Sequence, residues 1–184
     1  MRLPVIAFVC LSLCACLGAP DGVTPVKNFE VNRYLGVWYE VARLDHSFER
    51  GLEAVSAEYS LREDGGLKVL NSGRSVATGK TDQAEGRAYF VEAEDTGYLK
   101  VSFFGPFFGS YIIFDLDQSN YQYAFVAGNS TDYLWLLSRT PQVSNEVMES
   151  FISQSAALGF DTEALIYVDH GLPEGLAGGE REGG

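Results

Sequence analysis

Asn32-Arg33-Tyr34-Leu35-Gly36-Val37-Trp38-Tyr39-Glu40 opens a series of short, aromatic-rich apolar segments. Residues 37–43 read as a first strand. Similar segments recur at 54–61, 67–71, 86–93, 98–103, 111–116, 121–127 and 133–138, with a short last one at 165–168. Turn signals separate them: Asp64-Gly65-Gly66 suits a tight hairpin, and Asn129-Ser130-Thr131-Asp132 is a polar turn. Evenly spaced short strands predict an all-β sandwich or barrel. The 12 Phe and 10 Tyr agree, since strands favour aromatic side chains more than helices do.

Working outward, Tyr111-Ile112-Ile113-Phe114 is apolar on both faces. A sheet with one wet face would alternate more cleanly, so both faces must meet a core, a ligand, a helix or a partner chain. One helix is predicted. Pro141 breaks the last long strand, Ser144 is placed to cap, and Glu146 suits a positive first turn. Val147, Met148, Phe151, Ile152 and Ser155 then share one face at helical spacing, and Gly159 can end the helix.

The chain of 184 residues is long enough for one domain with a core. Its formal net charge of −12 argues against nucleic-acid binding, which needs a basic patch. It also argues against electrostatic adhesion to anionic lipid, which needs clustered Lys and Arg. The cysteines are Cys10, Cys14 and Cys16, and residues 17–184 contain none. The folded body therefore offers no internal disulfide, no thiol nucleophile and no cysteine metal site.

Met1-Arg2 followed by the apolar run 3–17 has the form of a secretory signal. The run falls short of the ~20 residues that a spanning helix needs. Leu13-Cys14-Ala15-Cys16 resembles a bacterial lipobox, with a small residue before the cysteine and a large aliphatic one three before. The resemblance implies cleavage after Ala15 and acylation of Cys16. Residues 1–15 are then a lipoprotein signal, and 16–27, with Gly18, Pro20, Gly22 and Pro25, a lipidated flexible tether. Leu17 after the cysteine, in place of Asp, favours the outer membrane by analogy with bacterial sorting. Residues 28–170 form the folded domain, and 171–184, rich in Gly and Glu, a disordered tail.

Three separated signals resemble the lipocalin family: Gly36-Val37-Trp38-Tyr39; Asp115-Leu116-Asp117 with Tyr121 after it; and Leu137-Ser138-Arg139-Thr140. Further stretches narrow the likeness to bacterial outer-membrane lipocalins, relatives of apolipoprotein D and the plant temperature-induced lipocalins. These are Arg50-Gly51-Leu52-Glu53, Leu99-Lys100-Val101-Ser102-Phe103-Phe104-Gly105-Pro106-Phe107, and Asp132-Tyr133-Leu134-Trp135 running on to Pro141. The chain departs from that pattern at its Gly-rich tail and at Phe108, where many relatives have Tyr. The resemblance implies an eight-stranded up-and-down antiparallel barrel with one C-terminal α-helix outside. It implies that Trp38 plugs the closed end, that Arg139 lies across its ring, and that Gly36, Trp38 and Arg139 mark the fold rather than the ligand contacts.

A barrel of about eight strands has room for one small ligand. Tyr133, Trp135, Leu137 and Arg139 share one face by period two. If Arg139 points in at the base, Trp135 points in higher up. Phe90, Phe103, Phe108, Tyr111 and Tyr133 join Trp135 as candidate pocket residues. The loop 45–50 follows the first strand, at the open mouth of such barrels. Its residues read chiefly as solvated, with Phe48 as a lid and His46 or Arg50 as headgroup contacts the alternative.

Catalysis finds little support. The two histidines, His46 and His170, stand far apart, no metal-binding spacing occurs, and Gly105-Pro106-Phe107-Phe108-Gly109 is no phosphate cradle. Glu92-Ala93-Glu94-Asp95 reads as a solvated turn. The expectation is a carrier without cofactor, metal or nucleic acid. It binds fatty acids, lysophospholipids or similar amphiphiles, and is held at the outer membrane by Cys16 with its barrel in the periplasm. Its role there is lipid storage, transfer or repair, and a homodimer is compatible with it. A lipid- or isoprenoid-processing barrel enzyme and a ligand-free structural lipoprotein are the competing classes.

Overall fold

The computed structural model describes residues 17–171. The signal segment, Cys16 and residues 172–184 lie outside the described residues. Eight antiparallel strands run up and down in chain order: β1 (Gly36–Arg43), β2 (Leu52–Leu61), β3 (Leu67–Ser75), β4 (Thr81–Phe90), β5 (Tyr98–Ser102), β6 (Gly109–Leu116), β7 (Tyr123–Ala127) and β8 (Leu134–Ser138). Each pairs with the next, and β1 pairs with both β8 and β2, so the sheet closes on itself. A short helix, α1 (Val31–Tyr34), precedes β1. Helix α2 (Asn145–Ala157) and the two-residue strand β9 (Ile166–Tyr167) follow β8. β1 pairs with β2 only over Gly36–Tyr39, and β9 pairs with Ala42 and Arg43 further along β1.

Strands β6 to β8 are apolar on both faces because each face meets a core. Tyr111, Ile113, Val126, Trp135 and Leu137 belong to the cluster inside the barrel. Ile112, Phe125, Leu134 and Leu136 belong to a second cluster shared with Phe151 of α2. Phe151 is fully buried, and its ring meets Phe125 edge-on at 5.1 Å between centroids. The Ser144 hydroxyl caps α2 by accepting from the Val147 amide at 3.4 Å, and Gly159 takes a φ of +84° after the helix. Capping of this kind is worth about 1 kcal/mol.

Most strand boundaries differ from the sequence reading by one or two residues, and those of β3 and β4 by more. β4 runs from Thr81 to Phe90 rather than 86–93, and β3 extends to Ser75. The added halves pair with each other from Leu70↔Glu85 to Arg74↔Thr81. No helix covers them, and residues 81–85 are exposed, so they carry no apolar alternation to read. Residues 17–27, expected as a flexible tether, are laid against the barrel. The Gly18 amide donates to Ser110 Oγ at 3.1 Å, the Val26 amide donates to the Ile113 carbonyl at 2.9 Å, and Val23 is buried in the outer cluster.

β1 carries a bulge between Glu40 and Ala42. A bulge adds one residue to its strand and shifts the alternation beyond it. Trp38 lies in the inner cluster, Val41 and Ala42 both lie in the outer one, and Arg43 returns to the side of Glu40.

Candidate functional site

The barrel has one closed end. Gly36 opens β1 with a φ of +92°, a conformation that costs a side-chain-bearing residue about 1–2 kcal/mol. Trp38, fully buried, donates from Nε1 to the Tyr34 carbonyl at 2.8 Å. The Arg139 guanidinium carbon sits 4.0 Å from the centre of the Trp38 ring. Arg139 is fixed there by donating to the carbonyls of Val37 (2.8 Å), Arg33 (2.7 Å) and Tyr121 (3.3 Å). Asp117 shapes the neighbouring turn by accepting from the amides of Ser119, Asn120 and Gln122. The Tyr121 hydroxyl in turn accepts from the Glu30 amide at 2.9 Å.

Above this stopper three tyrosine hydroxyls form a chain: Tyr111 lies 2.7 Å from Tyr34 and 2.8 Å from Tyr59. Burial holds all three well above the usual phenol range, so they stay neutral donors and acceptors. Over them opens a cavity of about 930 Å³. Among its walls are Val55, Tyr59, Val69, Val101 and Leu137.

Of the candidates named from sequence, Trp135, Tyr133, Tyr111, Phe103 and Phe108 line this cavity, and Phe90 is not among its walls. Phe90 sits against Phe29 in the plug, rings edge-on with centroids 6.2 Å apart. Phe103 lies over Gly86, where a Cβ would stand 2.9 Å from its ring; the glycine makes room for it. Phe108 straddles the rim, its ring also facing Tyr89 at 6.2 Å and the Lys100 ammonium at 5.2 Å.

Glu40 and Glu49 also line the cavity, with Arg43 and His46 packed behind them, a group that the sequence reading does not anticipate. Glu40, Arg43, His46 and Glu49 are all buried. Arg43 Nε lies 2.8 Å from Glu40 Oε1 and 3.5 Å from Glu49 Oε2, and Arg43 Nη2 donates to the Glu49 carbonyl at 2.9 Å. His46 Nε2 lies 3.1 Å from the same Glu49 oxygen, which also accepts from Trp135 Nε1 at 3.3 Å. Burial pushes both carboxyls up, Glu40 well above the usual range with Glu49 adding to the shift. Burial, then Arg43, pushes His46 down to about 4, so it is neutral near pH 7. The loop 45–50 is therefore not simply solvated: His46 stacks under the exposed Phe48 at 4.1 Å and is itself sealed in. The available signal was the pair of charges, Glu40 and Arg43, within an otherwise apolar strand. The bulge concealed that both face the same way.

Both acids face Arg43, Glu49 also accepts from Trp135 and lies beside His46, and among the described residues no cluster of His, Cys, Asp and Glu could hold a metal ion.

The fold agrees with three comparisons. The family described as "Lipocalin-like domain" matches residues 29–170. "Outer membrane lipoprotein Blc" of Vibrio cholerae is 58% identical over 168 residues, covering 91% of this chain and 98% of the relative. The protein of the same name from Escherichia coli K12 is 52% identical over 155 residues, covering 84% and 87%. The solved structure of insecticyanin from the tobacco hornworm Manduca sexta superposes with a TM-score of 0.65 at 22% identity, over 83% of this chain and 86% of that one. The lipid-anchored outer-membrane location expected from the amino terminus is the one those bacterial relatives carry in their name. With its stoppered eight-stranded barrel and a match spanning the whole folded body, the chain belongs to the lipocalin family.

Proposed function

We propose that this lipocalin carries fatty acids, lysophospholipids or similar single-chain amphiphiles at the outer membrane, and that acylated Cys16 holds it there. The observation that supports this reading is the cavity of about 930 Å³ above the Trp38–Arg139 stopper. Small-molecule pockets run from about 300 to 1,000 Å³ and are mostly apolar. An acyl chain entering from water gains at most ~0.8 kcal/mol per buried CH₂, less the ordering costs of binding. Trp135, Tyr133, Tyr111, Phe103 and Phe108 supply the contact surface. Glu40 and Glu49, backed by the buried Arg43, lie in the wall, where the polar end of an amphiphile would rest.

Native mass spectrometry of protein extracted from its membrane tests the reading. A co-purifying amphiphile is the expected result. A folded but empty protein that takes up no added fatty acid overturns it in favour of a structural lipoprotein. Turnover of the added lipid overturns it in favour of an enzyme.

A further inference from the structure

The barrel's two ends differ in a way that the carrier reading does not require. The strands run up and down, so the loops alternate between the ends. Residues 62–66, 91–97 and 117–122 lie at the closed end. Residues 44–51, 76–80, 103–108 and 128–133 lie at the mouth.

The closed-end loops carry Glu63, Asp64, Glu92, Glu94, Asp95 and Asp117 against Arg62, and the adjoining plug adds Glu30 against Lys27, Arg33 and Arg139, which leaves that end acidic. The mouth loops are nearly balanced, with Asp45, Glu49 and Asp132 against Arg50 and Lys80, and the Glu49 carboxyl is buried. The β5–β6 loop, Phe103-Phe104-Gly105-Pro106-Phe107-Phe108, has no charge at all. The mouth also projects large apolar side chains into solvent. Phe104 is 81% exposed, Phe107 75%, Val76 64% and Phe48 57%. They come from three separate mouth loops, so they crown the opening together. Scattered exposed apolar residues are ordinary; a rim of phenylalanines around a pocket marks a surface that meets something apolar.

The amino-terminal segment identifies what that is. From Lys27, bridged to Thr96 at the closed end, it runs back to Gly18, bonded to Ser110 one residue inside the mouth end of β6. Cys16 stands two positions before Gly18, with only Leu17 between them, and two residues of chain reach at most about 7 Å. An acyl group on Cys16 is delivered beside the mouth, not beneath the plug.

We infer that the phenylalanine rim is a bilayer-docking surface. The mouth lies against the leaflet that holds the protein's own anchor, with Phe48, Phe104 and Phe107 in the interfacial region and the acidic closed end turned away. The inference rests on the acylation of Cys16 proposed above. Apolar side chains at the headgroup boundary add to the hold of an acyl anchor. Turning the carboxylates outward keeps them beyond about one Debye length of an anionic surface, ~8 Å at physiological salt. In this posture an amphiphile passes between bilayer and cavity without crossing open water.

The body has no cysteine, which makes the test direct. The full chain, matured and acylated, is prepared with Phe107→Cys or with Leu61→Cys. Leu61 ends β2 at the closed end and is 58% exposed. Each cysteine receives a nitroxide label. The proteins are reconstituted in phosphatidylethanolamine–phosphatidylglycerol vesicles, and collision of the label with oxygen and with a water-soluble nickel chelate is measured. Position 107 is expected to favour oxygen and to meet nickel several-fold less often than position 61. Equal nickel access at both positions, in protein that floats with the vesicles, overturns the docking while leaving the anchor standing. Protein that fails to float overturns the anchor and the docking with it. Neither result bears on fatty-acid uptake, which is titrated separately on the same samples.

Discussion

Trp135 Nε1 donates to Glu49 Oε2 at 3.3 Å, joining the indole of β8 to the loop that follows β1. A pocket wall and a mouth loop are thereby held in one register, and the carboxylate that receives the bond is buried. Replacing the indole removes both a contact surface and a donor.

Trp135→Ala is expected to weaken binding of a fluorescent fatty acid by about 10- to 100-fold, the equivalent of ~1.5–3 kcal/mol of lost apolar contact. Titration at fixed protein concentration measures it, alongside far-UV circular dichroism to verify the barrel. Binding equal to that of the unaltered protein removes Trp135 from the site.

Arg139→Ala removes the cation over Trp38 and three donors to backbone carbonyls. A cation over an indole contributes on the order of 1 kcal/mol, and each carbonyl bond made by a charged donor about 1.5–3 before compensation by water. A loss of roughly 2–4 kcal/mol in urea unfolding is expected from those contributions, taken as partly overlapping. An unchanged midpoint would show that the stopper is held by Trp38 alone.

Gly36→Ala tests the backbone at the same place. With a φ of +92°, alanine there should destabilise by about 1–2 kcal/mol. A Cβ would meet only Arg139 Nη1 at 3.6 Å, so strain rather than collision sets the cost. Denaturant midpoints of the two proteins give the answer directly.

His46 imposes a pH dependence with a defined sign. Its folded value is lowered from 6.5 to about 4, so between those limits the unfolded chain binds the proton and the folded chain does not. Stability from this group is complete above pH 6.5 and is lost as pH falls toward 4. Glu40 and Glu49, both raised, act the other way: as pH falls, the folded state takes up their protons before the unfolded chain does. Comparison with His46→Phe, which retains a stacking ring, separates the two. The variant should lose less thermal stability than the parent between pH 7 and pH 4.5. Parallel melting curves would show that His46 is not the group responsible.

Cys16→Ser should leave the protein in the soluble fraction after cell disruption, because a protein this acidic has no electrostatic hold on an anionic membrane. Continued sedimentation with membranes would defeat the acyl anchor.

How much of this was legible in the sequence follows from where water is excluded. Strands β6 to β8 and helix α2 announce themselves because Ile112, Phe125 and Phe151 must be apolar to fill the space between sheet and helix. Trp38 and Arg139 were readable from the motif resemblance, and the ring-on-cation geometry follows it. The polar starts of β4 and ends of β3 were not, since nothing apolar lies outside them. Strand parity gives Phe90 a face but not a height along the barrel axis, so the sequence cannot tell pocket from plug, and Phe90 sits with the plug. The Glu40–Arg43–Glu49–His46 group stayed hidden because a bulge shifts the phase of β1, and no periodicity rule anticipates one extra residue.

The circumference of the barrel is unequal in thickness. Along β6 to β8 the wall is backed by α2, whereas β4 faces solvent through most of its length. Transient opening events that admit solvent to the ladder amides should therefore concentrate in the thin sector. Deuterium would enter β3 and β4 long before β7, and occupancy of the cavity would slow that entry most where there is no helix to do so.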